Sequence, residues 1–404
     1  METTTEELDR FRQEVTDFLE QHAKRRPPAQ EQRWGVGSDS LASIGGDNDS
    51  EARRREAQSW RALVFDAGYG WLGGPREYGG GGRDRTYEEV YAQVEAEFDV
   101  PDQSIFQVSR GMVAPAVLEH GSEDLKQRFL APIHRGELIC AQLLSEPEAG
   151  SDLAGLRTRA VRDGDEWVVN GQKVWSSYAH VAAIGQLLAR TDPDVPKHQG
   201  LTMFLLPMDT PGIEVRPLRQ MNGEAHFNEV FFNDVRVPDA NRVGPAGGGW
   251  RAILTTLMNE RHVVAGRGGA GQPQYVTRLF QLAEVLSRTG DPVVRQRLAD
   301  VHIHDGLLRY LRQRSEAAVE AGRELGPEGS IAKLLHTQQL RRVADLATEL
   351  LGPAATADTG AWGTFTWARF LCGTPGLRIA GGTDNIQRNT LAERALGLPK
   401  EPKL

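Results

Sequence analysis

The spacing of apolar residues changes twice along the chain, and this restricts the possible folds more than any other feature. As far as Gly136 the apolar residues recur at helical spacing, whereas from Glu137 to Val243 they alternate, and β-branched and aromatic residues become frequent. Helical spacing returns after Gly249. This order predicts an α+β fold without internal repeats. The predicted domains are a helical domain at 1–136, a β domain at 137–245 and a helical domain at 246–404.

The same spacing predicts individual elements. Helices are expected at 5–22, 50–67, 85–98, 102–119, 122–129, 250–289, 292–321, 330–351 and 385–396. Strands are expected at 138–144, 159–161, 167–175, 184–190, 201–206, 213–217 and 229–237. No helix separates these strands, so we expect antiparallel hairpins that form a small barrel or sandwich. The polar segment 24–49, which contains Pro27-Pro28, is predicted to be a loop.

The composition argues against several classes of protein. The net charge is −8 and no basic run is longer than Arg53-Arg54-Arg55, so nucleic-acid binding is disfavoured. Cys140 and Cys372 lie in apolar contexts without CxxC spacing, which is typical of thiols in a reducing compartment. No apolar run approaches about 18 residues, so we expect no membrane span and a cytoplasmic location. His302-Ile303-His304 lacks metal-ligand spacing, and no metal is expected.

A polar turn followed by a hairpin is the candidate site. The turn Ser145-Glu146-Pro147-Glu148-Ala149-Gly150-Ser151-Asp152 follows an apolar run, and the hairpin turns at Asp163-Gly164 and runs to Trp175. Hydroxyl groups, backbone N–H groups and an indole together suit a flat aromatic cofactor with polar edges. These residues alone are also compatible with an ordinary β-hairpin.

The order Ser-Glu-Pro-x-Ala-Gly-Ser-Asp at 145–152, followed by Asn-Gly-x-Lys-x-Trp at 170–175, resembles the flavin-facing signature of the acyl-CoA dehydrogenase family. The C-terminal Leu396-Gly397-Leu398-Pro399 is also similar to that family, so the resemblance covers nearly the whole chain. It implies an N-terminal helical domain, a middle β-barrel domain and a C-terminal four-helix-bundle domain. It also implies FAD and an α,β-dehydrogenation of an acyl-CoA to the trans-2-enoyl-CoA. In that reaction a base removes the α-proton and flavin N5 takes the β-hydride.

The catalytic base is expected in an uncommon place. Many members of the family carry it in a Tyr-Glu-Gly-Thr sequence, but this chain has Ala380-Gly381-Gly382-Thr383 there, and glycine has no carboxylate. A subset of the family has the glutamate in a Glu-Arg pair on the helix after the β domain, which matches Glu260-Arg261. We therefore expect Glu260 to be the base, the alternative being an ordinary surface glutamate. Gly381 is expected to offer its backbone N–H to the thioester oxygen.

The resemblance also implies cofactor and substrate contacts. FAD contacts are expected at Leu143, Ser145, Gly150, Ser151, Trp175, Ser177, Gly352, Gly382, Thr383, Asn385 and Gln387. Ser151 and Arg261 are expected near the CoA part of the substrate. Two family elements for the ADP half of FAD depart from their usual form: Arg-x-x-Phe-Gly is not recognisable at 278–290, and Gln-x-x-Gly-Gly is replaced by Glu349-Leu350-Leu351-Gly352-Pro353.

A shared FAD site implies an oligomer, either a homotetramer or a mixed α2β2 tetramer. The implied electron acceptor is electron-transfer flavoprotein or another acceptor. Two other functions stay open at this point: a cofactor-sharing, non-catalytic subunit of a mixed tetramer, and a flavin oxidase or monooxygenase of the same fold. The acyl group and the choice between CoA and carrier-protein thioesters also stay open.

Overall fold

The computed structural model describes residues 4–26, 34–36, 39–41, 50–262, 275–321, 326–327 and 329–400, without the side chains at 260–262, 316 and 319–320. The N-terminal part contains the helices α1 (Thr5–His22), α2 (Glu51–Asp66), α3 (Arg85–Glu95), α4 (Ala114–His120) and α5 (Glu123–Arg135). Two short antiparallel strands, β1 (Lys24–Arg25) and β2 (Phe98–Asp99), join the end of α1 to the end of α3.

The prediction of a helix at 102–119 is confirmed for residues 104–120, but the segment is not one regular α-helix. A 3-10 turn covers Ser104–Phe106, and a π-helical turn at Ser109–Val113 leads into α4. Pro115 has no amide hydrogen, so it cannot provide the α-helical bond to residue 111. The buried Ser109 hydroxyl accepts a hydrogen bond from Cys140 N at 2.8 Å, which attaches the π turn to the first strand of the middle domain.

The middle domain is one eight-stranded sheet. Its strands are β3 (Cys140–Leu143), β4 (Arg159–Asp163), β5 (Glu166–Ser177), β6 (Ile184–Arg190), β7 (Leu201–Pro207), β8 (Ile213–Leu218), β9 (Phe227–Pro238) and β10 (Arg242–Val243). Their order is β10-β7-β6-β4-β5-β9-β8, with β3 beside β6. The expectation of purely antiparallel pairing is wrong for two pairs, because β3 and β4 run parallel to β6. The inward residues of β3 to β7 and β9 form a single core, as expected for a barrel or sandwich.

Asp239 connects two distant parts of this sheet. Its carboxylate accepts hydrogen bonds from Arg242 Nε and Trp167 Nε1, both at 2.8 Å. These bonds, first that of Arg242 and then that of Trp167, lower the pKa of Asp239 to about 2.

The stabilisation by Asp239 is therefore expected to be present above pH 4 and to disappear as the pH falls from about 4 towards 2. Asp239→Asn should lower the free energy of unfolding at pH 7 by about 1 kcal/mol, after allowance for solvent screening. The difference from the unmodified protein should vanish near pH 2. Urea unfolding at both pH values measures this, and an equal difference at both would contradict it.

The C-terminal part contains α6 (Gly249–His262), α7 (Tyr275–Val285), α8 (Pro292–Glu320), α9 (Gly329–Leu351), α10 (Thr366–Ile379) and α11 (Asp384–Thr390). The predictions at 292–321 and 330–351 agree with α8 and α9 within one residue. The predicted helix 250–289 corresponds to α6 and α7, and 263–274 lie outside the described residues. The prediction missed α10, because Gly373, Pro375 and Gly376 disfavour a helix. Burial of its apolar side chains in the core of the C-terminal domain outweighs that preference.

Part of the predicted loop 24–49 belongs to the C-terminal core. Leu41 is buried, and its backbone N–H donates to Thr366 Oγ1 at 3.2 Å. The ring of Trp34 meets that of Trp362 edge-on at 5.0 Å. Trp34 and Leu41 therefore pack with the C-terminal domain. None of the helices in the described ranges is long and apolar enough to cross a membrane.

Candidate functional site

The helix α6 lies where the three domains meet. It contacts α4 and the π turn of the N-terminal domain, β7 of the middle domain and α9 of the C-terminal domain. Thr255 donates to Glu119 on α4 at 3.0 Å, and Gln186 on β6 donates to the buried Thr256 at 3.1 Å. These bonds orient the middle of α6 against both domains.

Glu260 and Arg261 lie at the C-terminal end of α6. Their backbone is helical, but their side chains lie outside the described part of the structure. Earlier on α6, Leu254 and Met258 are 39% and 52% exposed, and their spacing of four residues places them on one face of the helix. The role of Glu260 as base stays a prediction.

Trp175 occupies a strained bulge in β5. The register with β9 shifts between Lys173, paired with Val230, and Ser176, paired with Asn228, so β5 has one extra residue here. Trp175 has φ of +63°, a value that side chains other than glycine rarely adopt, and it is 60% exposed. A large aromatic ring held outward in this way has the form of a contact surface for a flat ligand.

Ser177 pairs with Phe227 of β9, and the ring of Phe227 meets the Trp175 indole edge-on at 6.0 Å. Ser145 joins this group, because its carbonyl accepts a hydrogen bond from Val174 N at 2.9 Å. Ser145 and Ser177 are both half-buried. Thus the structure brings together the expected hydroxyls and the indole at one end of the sheet.

A buried ion pair connects the two parts of the family signature. The ammonium group of Lys173, which is fully buried, lies 2.9 Å from Glu146 Oε1 and donates to Leu144 O at 2.8 Å. Glu146 also accepts the backbone N–H groups of Arg157 and Thr158, at 2.7 and 2.8 Å. Both residues belong to the signature sequence, which does not by itself predict that they form this pair. The ion pair attaches the loop 145–158 to β5.

The charges of this pair follow from opposing effects. Burial lowers the pKa of Lys173 to about 8, because the charged ammonium loses its water, although Glu146 favours the charge. Burial by itself would raise the pKa of Glu146. The attraction of Lys173 and the hydrogen bonds from Thr158 and Arg157 outweigh burial and lower that pKa. The carboxylate is therefore ionised at neutral pH.

The other residues of the middle domain that are predicted to contact FAD differ in their exposure. Gly150 and Ser151 are exposed on the loop that Glu146 holds, so both are accessible to a ligand. Leu143 has its side chain buried in the core of the sheet and pairs with Leu187, so only its backbone is left for a cofactor.

The turn between α10 and α11 contains two consecutive left-handed residues, Gly381 with φ of +63° and Gly382 with φ of +83°. A Cβ atom on Gly382 would lie 2.7 Å from Gln387 Nε2. Thr383 caps α11, its Oγ1 accepting from Ile386 N at 3.2 Å. Only glycine fits this backbone without strain, so the turn can approach a ligand closely.

The side chain of Gln387 is used within the chain. It is buried, and its Nε2 donates to the carbonyls of Gly381 at 2.8 Å and Gly382 at 3.2 Å. Its Oε1 accepts from Ser330 Oγ at 2.6 Å. The amide of Gln387 therefore stabilises the turn. Its N–H groups are used within the chain, so none is left to donate to FAD as predicted. Asn385 is exposed and accepts from Arg388 at 3.0 Å.

Gly352 lies far from this turn. It follows the last residue of α9, whereas Ser330, which reaches Gln387, lies at the start of α9. At 1.5 Å per residue the two are about 33 Å apart. The prediction that Gly352 and the turn contact one FAD therefore requires a second chain. Glu349, which stands where the family has glutamine, forms an ion pair with Arg297.

No group of His, Cys, Asp and Glu side chains in the described ranges is arranged to hold a metal ion.

Three family models match consecutive parts of this chain. They describe the N-terminal, middle and C-terminal domains of acyl-CoA dehydrogenases and match residues 5–137, 141–235 and 247–396. Acyl-CoA dehydrogenase IpdE1 of Mycobacterium tuberculosis (strain ATCC 25618 / H37Rv) is 36% identical over 370 residues, which are 90% of this chain and 94% of that protein.

Two solved structures share the fold over almost the full length. The Tcur3481-Tcur3483 steroid ACAD has a TM-score of 0.76 at 28% identity, covering 99% of this chain and 100% of that chain. The ChsE4-ChsE5 complex from Mycobacterium tuberculosis has a TM-score of 0.73 at 29% identity, with the same coverage. The predicted fold is confirmed.

Proposed function

Because the chain belongs to the acyl-CoA dehydrogenase family, we propose that it removes one hydrogen from Cα and one from Cβ of an acyl-CoA thioester. In this proposal Glu260 takes the α-proton and the product is the trans-2-enoyl-CoA. The observation that carries it is the position of α6, the helix of Glu260, which contacts α4, β7 and α9 and thus all three domains. The helix α9 contacts both α6 and α11, which follows the turn that contains Gly381.

The polarity of the described residues supports FAD as cofactor. Trp175 offers an exposed indole, and Ser145 and Ser177 offer half-buried hydroxyls at the same end of the sheet. Gly382 and Thr383 would contact FAD at a boundary between subunits. When bound, FAD would accept the β-hydrogen with its electron pair and supply these electrons to electron-transfer flavoprotein or another acceptor.

In this proposal, residues of this chain lower the free energy needed to remove the α-proton. The N–H of Gly381 donates to the thioester oxygen and stabilises the negative charge that develops there. In the dry pocket that this reaction requires, the carboxylate would be more basic than in water, so its pKa and that of the α-carbon would come closer together. Ser151 and Arg261 would hold the CoA part and thereby place Cα near Glu260.

The substrate class proposed first is an acyl-CoA with a bulky polycyclic group. One of the solved relatives is described as a steroid ACAD. Glycine at 381 removes side-chain bulk from the turn beside the expected reacting atoms. The cytoplasmic location expected from the reduced cysteines is part of this proposal.

The decisive experiment is an anaerobic titration of the purified chain. Its visible spectrum is recorded before and after a panel of acyl-CoAs, with polycyclic, branched and straight chains. Bleaching of a bound flavin by one of these thioesters supports the dehydrogenase. Turnover with peroxide and without another acceptor would instead indicate an oxidase.

A second candidate is a cofactor-sharing subunit of a mixed tetramer. The ion pair of Glu349 with Arg297 supports it, because Glu349 replaces the glutamine of the family element for the ADP half of FAD. The solved ChsE4-ChsE5 relative is a complex of two different chains. A colourless purified chain that acquires flavin only with a second chain would support this candidate.

Trp175→Asn is expected to weaken FAD binding about tenfold, because the indole surface for the flavin ring is lost. Asparagine tolerates a positive φ, so the stability of the flavin-free protein should change by less than about 1 kcal/mol. Flavin titration and thermal unfolding measure the two effects separately. The matched control is Trp362→Asn, which removes an indole of the C-terminal domain; equal loss of FAD affinity in both variants would contradict a flavin contact of Trp175.

A further inference from the structure

Three polar side chains of α9 face the glycine turn. Ser330, Lys333 and Thr337 are spaced so that they lie on one face of the helix, and all three are buried. Elsewhere the buried face of α9 is mainly apolar. We call these three residues the α9 polar stripe. Each of them bonds to a residue of the segment from Arg378, near the end of α10, to Gln387 in α11.

The centre of the stripe is the Lys333–Asp384 pair. Lys333 Nζ lies 3.0 Å from Asp384 Oδ1 and donates to Arg378 O at 3.2 Å. Thr337 Oγ1 donates to the same Asp384 oxygen at 3.1 Å, and Arg378 Nε donates to the other oxygen at 2.9 Å. Asp384 is the first residue of α11, so these bonds fix the start of that helix.

The edge of the stripe is Ser330, which orients Gln387. Because the Ser330 hydroxyl donates to Gln387 Oε1, the NH2 group of the amide must point away, towards the turn. That group binds the carbonyls of Gly381 and Gly382. On the other side of the turn, Ala380 N donates to Gly376 O at 2.9 Å. The peptide groups around Gly381 are thus held from both sides.

A pair of glycines has the largest backbone freedom of any dipeptide, so the direction of the Gly381 N–H depends on these bonds. A buried ion pair usually contributes little net stability compared with apolar residues of the same shape, but it does define geometry. We infer that the α9 polar stripe, with Asp384 and Gln387, positions the Gly381 N–H for the thioester oxygen. This inference rests on the proposed function, and these residues are positioning residues.

The test measures α-proton exchange, which is separate from turnover. The holoprotein is incubated in D2O with a 3-thia acyl-CoA, in which sulfur at position 3 blocks the removal of the β-hydrogen. NMR follows the exchange of the protons on C2, which requires polarisation of the thioester carbonyl. The variants are Lys333→Met and Ser330→Ala, with Lys333→Arg as the conservative replacement. The control is Gln339→Leu, because Gln339 is equally buried on α9 but donates to Val301 O on α8 at 2.8 Å.

We expect Lys333→Met to slow exchange at least tenfold and Ser330→Ala several-fold, while Lys333→Arg recovers part of the rate. Gln339→Leu should lower the Tm without slowing exchange. The inference is overturned if exchange is unchanged in Ser330→Ala and Lys333→Met, or if it falls equally in Gln339→Leu. If Lys333→Met does not fold, the exchange rate of Ser330→Ala decides the test, because this variant loses only one hydroxyl group. Absence of exchange in the unmodified holoprotein would count against the proposed dehydrogenase itself.

Discussion

Glu260→Gln is expected to lower the rate of flavin reduction by an acyl-CoA by about 10²- to 10⁴-fold, the usual contribution of a general base. Glutamine has nearly the same shape but cannot accept the α-proton. Since Glu260 is not among the expected FAD contacts, the variant should keep its flavin. Anaerobic stopped-flow measurement at 450 nm, with flavin content from the absorbance spectrum, checks both statements.

Glu119→Gln is the matched control for this prediction. Glu119 is an exposed glutamate on α4 that contacts α6 through Thr255, so its replacement removes a charge from the same neighbourhood. It should reduce flavin at the rate of the unmodified protein. If Glu260→Gln keeps more than a tenth of the rate, the base lies elsewhere, and the Glu-Arg pair on α6 is only an ordinary helix surface.

Lys173→Met is expected to lower the free energy of unfolding by about 3–5 kcal/mol, because Glu146 would then be a buried charge without its cation. The bonds of Glu146 to the backbone of Arg157 and Thr158 would weaken with it, and the loop 145–158 would be held less firmly. FAD affinity should therefore fall as well, although Lys173 is not expected to contact the cofactor. Urea unfolding and flavin titration measure the two effects.

The double variant Lys173→Met with Glu146→Gln tests whether the unpaired charge of Glu146 causes the loss of stability. It removes both charges, so it should recover part of the lost stability. Arg216→Met serves as a control, because the Arg216–Glu214 pair is exposed and such pairs contribute little. A Lys173→Met variant that is no less stable than Arg216→Met would show that the buried pair does not hold the loop.

Local patterns in the sequence were sufficient to predict the class of fold and most of its elements. Helical spacing predicted α1 to the residue and α8 and α9 within one residue. Alternation predicted β6 to the residue and located every strand of five or more residues in the middle domain. The signature residues identified the family, which the family models confirm. The same residues predict a cofactor contact at Trp175, but its exposure and positive φ became visible only in the structure.

Tertiary structure decided the features that depend on residues far apart in the chain. The helix α10 forms against its own glycine and proline preferences, because the core of the C-terminal domain buries its aromatic side chains. The parallel pairing of β3 with β6 depends on a strand more than forty residues later in the chain. Lys333 and Asp384 are 51 residues apart, and neither has a neighbour in sequence that predicts the other. A local pattern reports which face of an element is apolar, whereas a buried polar contact exists only after two such faces have packed and excluded water.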